Sequence, residues 1–146
     1  MSEEKRSTLD EDIRDLCLGL AAHLEEKKAE DLLVYDVQKL STGLGDFFVL
    51  ATGNSSVHVK ALYEEALDFF EARGVPIRQE GRESLRWKLI DAGDVVVHLF
   101  TRQGRDFYAL ERIWGDGRII YRGSETSVPE ASEYMANRSF QGKEEV

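Results

Sequence analysis

The chain has 146 residues, 42% hydrophobic and 32% charged, which is enough length and apolar content for one domain with a buried core. Its formal net charge is −9. Nucleic-acid affinity rests on Lys and Arg displacing counterions, so little direct contact with RNA or DNA is expected. No stretch approaches the roughly 18 consecutive apolar residues of a membrane span.

The opening segment, MSEEKRSTLDEDIRD, is acidic. It lacks the apolar core of a signal peptide and the acid-poor, Arg/Ser-rich look of a transit peptide, so a cytoplasmic location is the default. Thr8-x-x-Glu11 reads as a capping box. Leu9, Ile13, Leu16, Cys17, Leu20 and Leu24 follow at helical spacing and predict a helix over 8–28. Cys17, the single cysteine, falls on that apolar stripe and reads as a small buried hydrophobe.

LLVYDV (32–37) and FFVLAT (47–52) read as strands. The short LSTGLGD connection makes them antiparallel neighbours. Gly53 to Ser56 break the second strand and cap a helix whose stripe is Val59, Leu62, Tyr63, Ala66, Phe69 and Phe70. Arg73, Gly74 and Pro76 stop it. Residues 75–80 then form a short third strand, and the strand–helix–strand order implies a right-handed crossover and a parallel pair.

Strands over 86–90 and 95–100 are joined by the Asp91-Ala92-Gly93-Asp94 turn as a hairpin. VVVHLF is apolar on both alternations, so its strand belongs in the middle of the sheet. A last helix over 102–113 presents Phe107, Leu110 and Trp114. After Gly115 the pattern fades. IIY allows one more short strand, and 123–146 reads as a polar, flexible tail behind a single domain over 1–122.

His98 invites a catalytic or metal reading, but His23 and His58 lie on predicted helices without metal-ligand spacing. A core histidine is the simpler account. Asp91 and Asp94 could hold a metal or act as acid and base. They are also the residues a tight turn prefers. ATGNSS precedes a helix as phosphate-cradling loops do. Neither G-x-x-x-x-G-K-[ST] nor G-x-G-x-x-G occurs, however. Trp87 is compatible with a core position or with an interface anchor.

Three segments in order, LLVYDVQKLS…DFFVLATGNSSVHVKAL, RWKLIDAGDVVVHLF and RDFYALERIWGD, resemble the ribosomal silencing factor (Iojap-like) family. The resemblance covers about residues 9–116. Ala92 stands where many relatives carry Tyr or Leu, and the 40–46 loop is one residue longer than the usual form. The resemblance implies an α/β fold with a mixed five-stranded sheet flanked by helices on both sides, nucleotidyltransferase-like. It implies no catalysis, cofactor or metal. The implied role is binding the large ribosomal subunit through its fourteenth protein, blocking the small subunit and repressing translation under nutrient limitation. Homodimers are implied for the free protein. On this reading Trp87 anchors the partner, Asp91 and Asp94 flank the Ala92-Gly93 turn and meet its Lys or Arg, and Glu80 and Gly81 extend the patch. The net charge fits a basic partner, although acidity also serves solubility alone. The competing reading is a nucleotide-binding transferase using ATGNSS and the Asp91/Asp94 pair.

Overall fold

The computed structural model describes residues 3–38, 45–108 and 117–123, with side chains over 11–38, 45–105 and 117–123. In chain order the elements are α1 (Glu3–Glu26), β1 (Glu30–Asp36), β2 (Phe47–Gly53), α2 (Ser56–Ala72), β3 (Arg78–Glu80), β4 (Trp87–Asp91), β5 (Val95–Thr101), α3 (Arg102–Tyr108) and β6 (Arg118–Arg122). The strands form one six-stranded mixed sheet ordered β3-β4-β5-β2-β1-β6. β2 and β5 pair in parallel from Phe47↔Val95 to Gly53↔Thr101, and the other pairs are antiparallel.

Strand alternation splits the sheet into two apolar faces. On one, Leu32, Val34, Phe47, Val49, Ala51, Ile90, Val95, Val97 and Leu99 pack with Cys17, Leu20, Ala21 and Leu24 of α1 and with the α2 stripe. All six α2 residues expected to face inward are buried. On the other face, Leu33, Tyr35, Val37, Phe48, Leu50, Val96 and Phe100 form a second cluster with Trp87, Leu89 and Ile119 against it. Each fully buried Leu or Phe contributes about 1.5–3 kcal/mol, so the continuous apolar run of β5 is what places it centrally. Cys17 is buried, as its stripe position implied, and burial pushes its thiol up to about 12.

Both long helices end in the same way. Val75 N–H donates to Phe70 C=O at 3.0 Å and Gly74 N–H to Glu71 C=O at 3.0 Å, with Gly74 at φ +68. Ala29 and Lys28 repeat this pattern onto Leu24 and Glu25 at 3.0 and 2.9 Å. These are Schellman closures, the second built on a lysine at φ +69.

Four expectations need correction. α1 begins at Glu3 rather than at the Thr8 capping box, because Glu3 to Arg6 are good helix formers that carry the helix upstream. The sheet has six strands, the sixth being the IIY segment paired to β1. β3 runs parallel to β2 but is not its partner. The β4–β5 hairpin is inserted between them, and β5 takes the parallel slot. A three-residue β3 with every position exposed cannot fill a position that is buried on both faces. Finally, Trp87 and the acidic turn, expected as one patch, stand at opposite ends of β4. The expectations for Leu110, Trp114, most of the 40–46 loop and the tail from 124 onward fall outside the described residues.

α3 is tied in by polar contacts. Buried Arg105 donates to Thr52 Oγ1 at 2.9 Å and to the carbonyl of Asp31, and Arg102 pairs with the Asp31 carboxylate. Asp31 sits at φ +44 beside the bulge between Glu30 and Leu33. Thr52 alternates with Ala51 and so faces the side opposite α1 and α2, which puts Arg105 of α3 on that second side. No described helix is long and apolar enough to cross a membrane.

Candidate partner-binding surface

β4 alternates between the two faces. Lys88 and Ile90 are buried toward the helices, while Trp87, Leu89 and Asp91 are half-buried on the opposite face. Register continues this row onto β3, where Glu80 lies opposite Leu89 and Arg78 opposite Asp91. Glu80, Gly81, Ser84, Trp87 and Leu89 line an open groove of about 290 Å³. The structure therefore brings together Trp87, Glu80 and Gly81 of the sequence-predicted set.

The loop framing this groove is held tightly. Gly81 has φ +70, and a Cβ there would stand 2.6 Å from the Trp87 carbonyl oxygen. Ser84 N–H donates to Gly81 C=O at 2.9 Å. Ser84 Oγ accepts from the amides of Arg86 and Trp87, each at 3.2 Å. Buried Lys88 donates its ammonium to the Arg82 carbonyl and lies 5.5 Å over the Tyr63 ring. Leu85 projects from this loop, 71% exposed.

Trp87 turns out to be both core and surface. Its indole Nε1–H donates to His98 Nδ1 at 3.1 Å. The ring stacks on His98 at 5.8 Å and on Phe100 at 5.7 Å. His98 is buried, meets Phe48 edge-on at 5.5 Å, and is held neutral: burial first, then Arg105, lower its pKa to about 3. An imidazole accepting at Nδ1 carries its proton on Nε2.

The other predicted residues stand at the far end of the hairpin. Four residues at about 3.3 Å each separate Trp87 from Asp91 by roughly 13 Å. Asp91 Oδ1 accepts from Gly93 N–H at 2.8 Å, and Ala92 N–H donates to Val95 C=O at 2.8 Å. Gly93 has φ +88. The Asp94 carbonyl accepts from the amides of Asp46 and Phe47 at 2.9 and 3.0 Å, and its side chain is exposed. Ala92 packs against the helix-side core. Asp91 thus serves the turn and shares the Trp87 face, whereas Asp94 is a solvent-facing carboxylate. Among the described residues no three His, Cys, Asp or Glu side chains gather as a metal site.

The ATGNSS stretch is organised as a cap. Ser55 Oγ accepts from His58 N–H at 3.1 Å, and Asn54 N–H donates to His58 Nδ1 at 2.9 Å. His58 Nε2 is 2.9 Å from the Lys27 carbonyl and donates to it, linking the end of α1 to the start of α2. His23 pairs with Glu65 at 2.8 Å. The three histidines thus do three separate structural jobs.

A family model described as "Ribosomal silencing factor during starvation" matches residues 10–145. The chain belongs to this ribosomal silencing factor family. It is 40% identical over 100 residues to the ribosomal silencing factor RsfS of Bacillus subtilis (strain 168), covering 68% of this chain and 84% of that one. It is 32% identical over 111 residues to the chloroplastic protein Iojap of Zea mays, covering 76% and 48%. A crystal structure of a Chromobacterium violaceum protein matches with TM-score 0.64 and 36% identity, covering 82% of this chain and 96% of that chain. A Bacillus halodurans structure matches with TM-score 0.62 and 34% identity, covering 76% and 98%.

For this silencing factor family member, the sequence reading omitted Leu89, Ser84 and Leu85. Leu89 was legible: two residues from Trp87 on a strand, it shares the same face. Ser84 and Leu85 carried no such signal, because their placement depends on the loop that Gly81 and Lys88 hold in position.

Proposed function

We propose that this protein silences translation by binding the large ribosomal subunit through its fourteenth protein and sterically blocking the small subunit, without catalysis. The observation that carries this reading is the groove at Trp87. A half-buried, rigidly held tryptophan beside Leu89 and Glu80 is the kind of anchor that dominates protein interfaces. Asp91, Ala92, Gly93 and Asp94 form a second, acidic contact at the other end of the hairpin, and Leu85 adds an apolar tip. The family membership and the relatives' names support the ribosomal setting. The proposal includes a cytoplasmic, homodimeric free form and a nucleotidyltransferase-like kinship of the sheet, for which the strand–Gly53–Ser55–helix turn speaks.

Pelleting purified large subunits with folded Trp87→Ala tests the anchor. Loss of a central aromatic costs about 2 kcal/mol, roughly thirtyfold in affinity, and binding also weakens as salt rises because charge contributes. Wild-type affinity in a folded Trp87→Ala variant removes the groove from the contact.

A further inference from the structure

We propose that His98 is a positioning residue for partner binding: its Nδ1 lone pair holds the Trp87 indole in the orientation the groove presents. This rests on Trp87 being the anchor and adds the group that aims it.

The imidazole meets the indole from a fixed position. Trp87 opens β4 at the margin of the sheet, where a half-exposed ring can adopt several rotamers. His98 lies in β5 between Leu89 and Leu50 in register, so its backbone is paired on both sides. Its ring lies nearly parallel to Phe100, at 6.1 Å and 5°. Phe48 closes on its edge at 5.5 Å. A phenylalanine at 98 would supply the same stacking and burial. What the imidazole adds toward Trp87 is an acceptor, 3.1 Å from the indole N–H.

That bond has a consequence for the partner. The N–H is the only hydrogen-bonding group of an indole, and here it is turned inward. The part of Trp87 left to a partner is a donor-free aromatic surface, in a groove that Glu80 also lines. The complementary surface is therefore an apolar side chain next to a cation. Burial keeps His98 neutral down to a pH of about 3, so the acceptor is present throughout the physiological range. Holding a side chain in its bound rotamer before association spares the ordering cost of binding, roughly a two- to tenfold gain in affinity.

The test compares wild type, His98→Phe, His98→Gln, Trp87→Ala and the Trp87→Ala/His98→Phe double variant in large-subunit pelleting. Folding is checked by circular dichroism, and the Trp87 indole N–H is followed by NMR. The expected result is a roughly two- to tenfold loss for His98→Phe, part of it recovered in His98→Gln, which keeps an acceptor. The Trp87 indole resonance moves in His98→Phe, and His98→Phe has no further effect in the Trp87→Ala background. Wild-type affinity in folded His98→Phe, with Trp87→Ala weakened, overturns the positioning role and leaves the anchor standing. Equal loss from His98→Phe in both backgrounds also overturns it. Wild-type binding by Trp87→Ala removes both ideas together. The unmodified protein gives a readout independent of any variant's folding: long-range nitrogen–proton NMR shows a proton-free Nδ1 on His98, and a protonated Nδ1 there overturns the inference.

Discussion

A histidine at the centre of a strand suggests chemistry until its surroundings are known. In this protein its neighbours are rings, and burial lowers its pKa from 6.5 to about 3. The sign of the consequence follows from proton uptake. Between those two values the unfolded chain binds a proton that the folded chain refuses, so stability falls as pH falls. Above 6.5 neither state is charged and the penalty is absent. Each pH unit below that value costs about 1.4 kcal/mol from this group alone. Denaturant unfolding at pH 7 and pH 4.5 should show wild type losing roughly 2–3 kcal/mol more than His98→Gln. Parallel pH curves for the two would mean that His98 is not neutral in the fold. The string VVVHLF made the buried position of His98 legible. Its bond to Trp87 was not, because it joins diagonal neighbours, and that depends on the register Trp87↔Phe100 and Leu89↔His98.

At the scale of elements, local signals succeeded wherever one short stretch carried all of the physics. Arg73, Gly74 and Pro76 end α2 through a Schellman closure that any reading of glycine at C′ anticipates. They failed where a competing stretch won. The Thr8 box is overrun by helix formers upstream, and β3 is displaced to the edge by the stronger apolar run of β5. Gly81 is a harder case still, because its importance comes from a neighbour six residues away. Two glycines, in the loops before and after β4, separate strain from contact. Gly81 and Gly93 both have positive φ, but only at Gly81 would a Cβ meet backbone, at 2.6 Å, while Gly93 has open space. Gly93→Ala should cost about 1 kcal/mol from the left-handed conformation. Gly81→Ala should cost about 2 kcal/mol or more, lowering Tm by roughly 4–8 °C, and it should also weaken large-subunit binding. Calorimetry that finds equal losses for the two would show that the loop gives way, and that the groove is less rigid than its contacts imply.

The molecule as a whole is a sheet with two unlike faces. One is sealed by α1 and α2. The other carries the aromatic cluster of β2, β4 and β5, and at its margin the Trp87 groove and the acidic turn lie about 13 Å apart along one strand. That separation suits a broad contact with two footholds, an apolar one at Trp87 and a charged one at Asp91 and Asp94. Most of the architecture could be read from periodicity: helix, antiparallel strands, helix, hairpin, helix. IIY allowed a sixth strand but not its place in the sheet, which needs β1 beside it. Site residues were legible as types but not as a constellation, since alternation decides which of them share a face. The −9 net charge of the chain agrees with a basic protein partner and with a salt-sensitive affinity.

The most direct measurement is a subunit-joining assay read by sucrose-gradient sedimentation. Large subunits are preincubated with the protein, small subunits are added, and the joined particle is quantified. The protein should co-migrate with large subunits and reduce joining in proportion to occupancy, and Trp87→Ala should restore joining. Large subunits that carry the bound protein yet join small subunits as fast as bare ones would contradict steric silencing.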